Sequence, residues 1–172
     1  MRAFRLVAGA VALLAILVVA GNWAAFDRRV QADLDADARN SGIRLAAYLA
    51  WGMNPNSLVL DLRDISGGKS MADVDRVLLT ALQSLKSNNF DRVALAHRGS
   101  HKFQMNGSYA KQLGEEYGFQ NPVYTMRTMQ ENIYRLDGSP AFGTWTGGWL
   151  GVMGKQMEDH QSFHRQWYLS EL

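Results

Sequence analysis

Cysteine is absent from all 172 residues, which excludes disulfides, thiol catalysis and thiolate metal sites together. An excess of charge is missing too. The 18 basic and 16 acidic residues are interspersed, and a formal net charge of +2 gives no field strong enough to argue for nucleic acid. There is no cysteine–histidine zinc pattern and no RNA-binding signature. No serine sits in a Gly-x-Ser-x-Gly elbow, so no nucleophile is singled out. Internal repeats and low-complexity tracts are also absent. What remains is a chain long enough for one ordinary core beside an N-terminal segment.

That segment is the clearest feature. Two arginines, Arg2 and Arg5, precede a run from Leu6 to Ala20 without a polar side chain, and Gly21 to Phe26 extends it to Asp27-Arg28-Arg29. The run approaches the ~20 residues a helix needs to span hydrocarbon. Trp23 and Phe26 suit the headgroup region at its far end. Residues 1–26 are therefore expected to form an uncleaved signal-anchor; a signal peptide cut after Val18-Val19-Ala20 is the alternative. Arginines flank both ends, but the short leading tail favours the amino terminus inside and the domain outside, periplasmic in a bacterium.

Residues 27–56 read as an amphipathic stalk or packing helix, with Phe26, Val30, Leu34 and Ala38 at helical spacing and a second stripe through Leu45, Tyr48 and Leu49. Residues 57–172 read as a soluble α/β domain. Strands are expected at Leu58–Ile65, Arg92–His97 and Lys102–Asn106, the last paired through the turn at Arg98-Gly99. Helices are expected at Met71–Lys86, capped by Ser70 and Asp73, from Ser108 to Gly118, and from Trp149 to Leu169. Pro122–Arg127 carries strand-type residues, with a helix starting at Pro122 as the competing assignment. Thr128 to Glu131 matches a capping box that would open another helix. The fold class is α/β: a small mixed sheet of three to four strands packed by helices, behind an N-terminal transmembrane or amphipathic helix.

Two regions carry candidate chemistry. Ser66-Gly67-Gly68-Lys69-Ser70 lies between a strand and a helix, as a phosphate loop would, but the position of its first glycine is Arg63. A simpler anion site at the helix amino terminus with Lys69 and Ser70 is the milder reading. If the first two strands are parallel, Asp64, Lys69, His97 and Arg98 gather at their carboxyl edge, where open α/β sheets bind ligands. The second region is His160 and His164, one turn apart in the apolar stripe of the last helix with Leu150, Met153, Met157, Trp167 and Tyr168. Spacing of four suits two helical ligands of a divalent metal, although the catalytic glutamate of the metalloprotease pattern is missing. Burial without a metal is the competing expectation. In the glycine- and tryptophan-rich stretch Phe142–Gly151, tryptophans packed as core compete with a groove for a protein partner or lipid.

Missing motifs favour a membrane-anchored binding or assembly module, needing no cofactor, over an enzyme. Its expected partners are the membrane, through the N-terminal helix, and another protein. The alternative is a small hydrolase or metal-dependent enzyme using His97, His101, His160 and His164.

Overall fold

A computed structural model describes residues 2–171. Helix α1 (Arg2–Asn22) passes through a π turn at Trp23–Asp27 into α2 (Arg28–Asp35). The stretch from Gly9 to Asp35 is long and apolar enough to cross a membrane, and none of its apolar window is buried among the described residues. The flanking Arg2 and Arg5 side chains lie outside the described residues. Further along, Val30 and Leu34 turn the same helix into the domain core, with Phe26 packed against Phe90.

The elements that follow are β1 (Ile43–Ala50), β2 (Asn54–Ile65), α3 (Met71–Ser84), β3 (Arg92–His97), β4 (Ser100–Asn106), α4 (Gly107–Glu116), α5 (Pro122–Thr128) and α6 (Trp149–Trp167). They build a mixed α/β fold on a four-stranded sheet of order β1-β2-β3-β4. β1–β2 and β3–β4 are antiparallel, whereas β2 and β3 are parallel, joined by α3. One sheet face carries Leu58, Leu60, Leu62, Val93, Leu95, Phe103 and Met105 against the apolar stripes of α3, α4 and α6. The other carries small residues, Ala50, Val59, Ala94 and Ala96, beneath Tyr48. α3 starts where the sequence places it, because Ser70 and Asp73 form a reciprocal capping box.

The outer edge of β1 is sealed by the N-terminal helix. Asn22 Oδ1 accepts from the Leu49 amide at 2.7 Å and Asp27 Oδ1 from the Ala47 amide at 3.1 Å. Gln31 Nε2 donates to the Leu45 carbonyl at 2.6 Å. Alternate strand residues turn their polar groups to the edge. The π turn sets the matching spacing: its wider coil puts Asn22 and Asp27, five apart, on one side, and Gln31 follows one regular turn later.

Several elements differ from the sequence reading. The stalk helix of 27–56 ends at Asp35, and Ile43–Ala50 is a strand. Ile43, Leu45 and Ala47 are buried while Arg44 is exposed, a period of two hidden inside a dense apolar run. Pro122–Arg127 is helical, since Pro122 fits a first turn and Asn121 accepts from the Val123 amide at 3.0 Å. Thr128 makes no capping bond, and only a 3₁₀ turn, Met129–Asn132, follows it. Ser108 lies inside α4, whose cap position is Asn106. Trp149 is 69 % exposed, so it is not core. In the same glycine-rich stretch, Gly147 and Gly151 face open space.

Gly114 does serve close packing. A Cβ there would lie 2.4 Å from the Leu82 carbonyl oxygen, where α4 crosses α3. Helix propensity alone makes Gly114→Ala stabilising by about 1 kcal/mol. Overpacking against rigid backbone reverses the sign, and the variant is expected to lose roughly 1–3 kcal/mol in chemical denaturation of the full chain.

Candidate functional site

β2 and β3 are parallel as the edge-site reading required, yet Asp64, Lys69, His97 and Arg98, and Ser70 of the anion-site reading, are each engaged separately. Asp64 is exposed and accepts from the Ile65 amide at 3.0 Å. The Lys69 ammonium donates to the Arg39 carbonyl at 3.3 Å. Ser70 is engaged with Asp73, whose carboxylate occupies the start of α3 where an anion would bind. The backbone hydrogen bond from Ser70 holds that carboxyl well below the usual range. Arg98 sits exposed in the β3–β4 turn at φ 49°, followed by Gly99 at φ 85°, the paired positive angles of a tight hairpin.

His97 points the other way, into the helical layer. Its Nδ1 lies 3.0 Å from Glu171 Oε2, and Lys102 bonds the other oxygen of the same carboxylate. Those hydrogen bonds, Lys102 first and His97 second, hold the Glu171 carboxyl below its ordinary value. His101 is exposed, so the two histidine pairs do not form one cluster of four.

His160 and His164 do come together, with a third residue that the sequence did not offer. α6 lies across α3 so that Asp75 Oδ2 is 2.7 Å from His160 Nε2 and Asp75 Oδ1 is 3.0 Å from His164 Nε2. The two Nε2 atoms are 3.1 Å apart. All three side chains are 0–3 % exposed. Burial by itself would raise the Asp75 carboxyl, but the adjoining His160 and His164 imidazoles together hold it below the ordinary range. His164 Nδ1 is 3.1 Å from the Tyr168 hydroxyl, and Tyr168 stands edge-on to His97. A buried polar line thus runs from α3 through α6 to the chain end.

Asp75 was not legible because its partners lie 85 residues away. The one available signal was an acid on the otherwise apolar stripe of α3, between Val74 and Leu78. Another missed residue is Asp61, fully buried on the second sheet face. It accepts from Tyr48 Oη at 2.8 Å and the Gly99 amide at 3.1 Å, and pairs with Arg63 at 2.8 Å. Burial and then that carboxylate push the Tyr48 hydroxyl up to about 12.

A cleft of about 530 Å³ opens beside the triad, between α3, α4 and α5. Leu79, Leu113, Pro122 and Met126 supply its apolar walls, Arg39 and Arg76 its cations, and Asp75 part of its lining. Comparison with family models, curated proteins and solved structures finds no match.

Because its carboxyl is depressed in the folded state, Asp75 contributes stability above its unfolded value and loses it as pH falls through the folded one. Asp75→Asn is expected to cost about 3–5 kcal/mol at pH 7, the usual penalty for breaking a buried pair. Acid titration of tertiary circular dichroism checks both points. Below pH ~4 the wild type should lose stability that the variant, lacking this carboxyl, no longer has to lose.

Proposed function

We propose that the chain is a membrane-anchored binding module. The apolar helix is set in the cytoplasmic membrane with its amino terminus inside, and the α/β domain stands against the outer surface, periplasmic in a bacterium. Its cleft takes up an apolar group of a small ligand or of a protein partner. The observation that supports this placement is how the β1–β2 turn meets the helix. Asn22 Nδ2 donates to the Gly52 carbonyl at 2.8 Å, and a Cβ on Gly52 would come within 2.8 Å of Val18. The flanking Trp51 and Met53 are 93 % and 68 % exposed, level with the end of the lipid-facing run. Trp51 also takes φ 55°, an uncommon angle for a bulky residue. Water gives no reason to display an indole there; a headgroup layer does.

The cleft supports the binding half of the reading. Its volume falls within the ~300–1,000 Å³ of small-molecule sites, with mostly apolar walls and a few charged groups. Exposed Phe119, Val123 and Tyr124, close to its α5 wall in sequence, add apolar surface on which a partner could rest. A hydrolytic role for the histidines has less support, because a catalytic metal keeps an open coordination position and these side chains are enclosed.

The cysteine-free chain allows a direct test. A single fluorophore on Met53→Cys, in full-length protein reconstituted into vesicles, is expected to be quenched by brominated lipids. One on Ser66→Cys, beyond the far end of β2 and ~43 Å along the strand at about 3.3 Å per residue, should not be. Ala72→Trp, which fills the cleft, should leave this placement unchanged while reducing uptake of an anilinonaphthalene sulfonate probe. Equal quenching at both sites would contradict the surface placement, and undiminished probe uptake would contradict the cleft.

A further inference from the structure

We infer that Asp75, His160 and His164 form a binding site for one divalent transition-metal cation, which fastens α6 to α3. The site shares Asp75 with the cleft lining but rests on neither the cleft reading nor the membrane placement. Two imidazole nitrogens and a carboxylate oxygen are a donor set suited to zinc or its neighbours, and the chain has no thiolate to offer instead. The donors come from two helices, with His160 and His164 one turn apart on α6, and their ligand atoms all lie within 4.8 Å of one another. Bond lengths of about 2.0–2.1 Å at tetrahedral angles put donors about 3.3 Å apart. The two Nε2 atoms are 3.1 Å apart, and each has its own oxygen of the one carboxylate, Oδ2 at 2.7 Å from His160 and Oδ1 at 3.0 Å from His164. Seating an ion therefore takes widening of up to ~0.6 Å and a turn of the carboxylate.

Hydrogen bonding alone accounts poorly for this cluster. Asp75 Oδ1, fully buried, is 3.0 Å from His164 Nε2 but makes no hydrogen bond to it or to any other described protein group. The two Nε2 atoms also face each other at 3.1 Å, although each is already directed to the same carboxylate. A buried carboxylate oxygen without a partner is costly, and two ring nitrogens turned towards one point leave at least one proton badly placed. A cation at that point satisfies all three atoms. The outer contacts agree on one side: His164 Nδ1–H donating to the Tyr168 hydroxyl leaves the Nε2 lone pair free for a metal. Enclosure of the donors makes the role structural, so that binding the ion is coupled to docking the last helix.

The test uses the full-length chain in detergent, stripped with a chelator and titrated with Zn²⁺ and with Co²⁺. One equivalent of either should bind, Co²⁺ should give visible d–d absorption, and the thermal midpoint should rise. His164→Gln should weaken Zn²⁺ binding by at least about 100-fold. Should that variant not fold, ¹⁵N resonances of the wild-type imidazoles supply the second readout. On Zn²⁺ addition the Nε2 signals of His160 and His164 should shift, and those of His97 and His101 should not. A folded wild type that binds neither ion stoichiometrically, or whose shifts fall on His97 or His101, would overturn the assignment.

Discussion

The constraint on which the rest of this architecture depends is the outer edge of β1. An edge strand presents unpaired amides and carbonyls that must find partners or template association with another chain. Here the partners are side chains of the segment that otherwise runs on as an apolar helix. Since Asn22, Asp27 and Gln31 address alternate residues of β1, helix and sheet are fixed to each other along the strand's length. A flexible stalk would let the domain wander from the apolar helix. This arrangement instead brings the β1–β2 turn beside Val18 and points the carboxyl edge of β2 and β3 the other way. Asp64, Lys69 and Arg98 therefore lie at the end of the sheet remote from the apolar run.

A second polar device holds the opposite end of the chain. α6 is the last long element, and Phe163 and Trp167 bury it against the sheet, with the Trp167 indole donating to the Ala96 carbonyl at 3.0 Å. Its first turns have no such cover: Trp149 and Leu150 are exposed. The Asp75–His160–His164 contact with α3 adds a second directional contact to the Trp167 hydrogen bond, and together they set the register of a helix whose apolar surface alone would tolerate sliding. Asp61 plays a comparable part across the sheet, tying Tyr48 and Arg63 to the β3–β4 turn.

The sequence made some of this legible and concealed the rest for definite reasons. Strands β2 and β3, helix α3 and the long C-terminal helix follow from apolar runs bounded by strong local signals, among them the Ser70–Asp73 box. β1 was concealed because Leu45-Ala46-Ala47-Tyr48-Leu49 satisfies both periods, and its distinguishing partner, β2, is a tertiary fact. Pro122–Thr128 looked like a strand from Val123, Tyr124 and Thr125, but a proline in the first turn and an Asn cap outweighed side-chain propensity. The wheel of α6 placed both histidines on its buried side correctly while also placing Leu150 and Met157 there. Leu150 is exposed in the uncovered first turn, and Met157 turns outward next to the buried Gln156. The third member of the triad could not be read, because nothing local to Asp75 says which helix will lie across it.

The claim that the apolar helix and the domain form one body is tested most directly by hydrogen exchange at the Ala47 and Leu49 amides in the full-length chain in lipid. The account predicts protection comparable to the inner strands β2 and β3. It predicts selective loss at Ala47 in Asp27→Ala and at Leu49 in Asn22→Ala, with the inner strands unchanged. Exchange of both wild-type amides at the rate of an open edge, or protection indifferent to both substitutions, would contradict it.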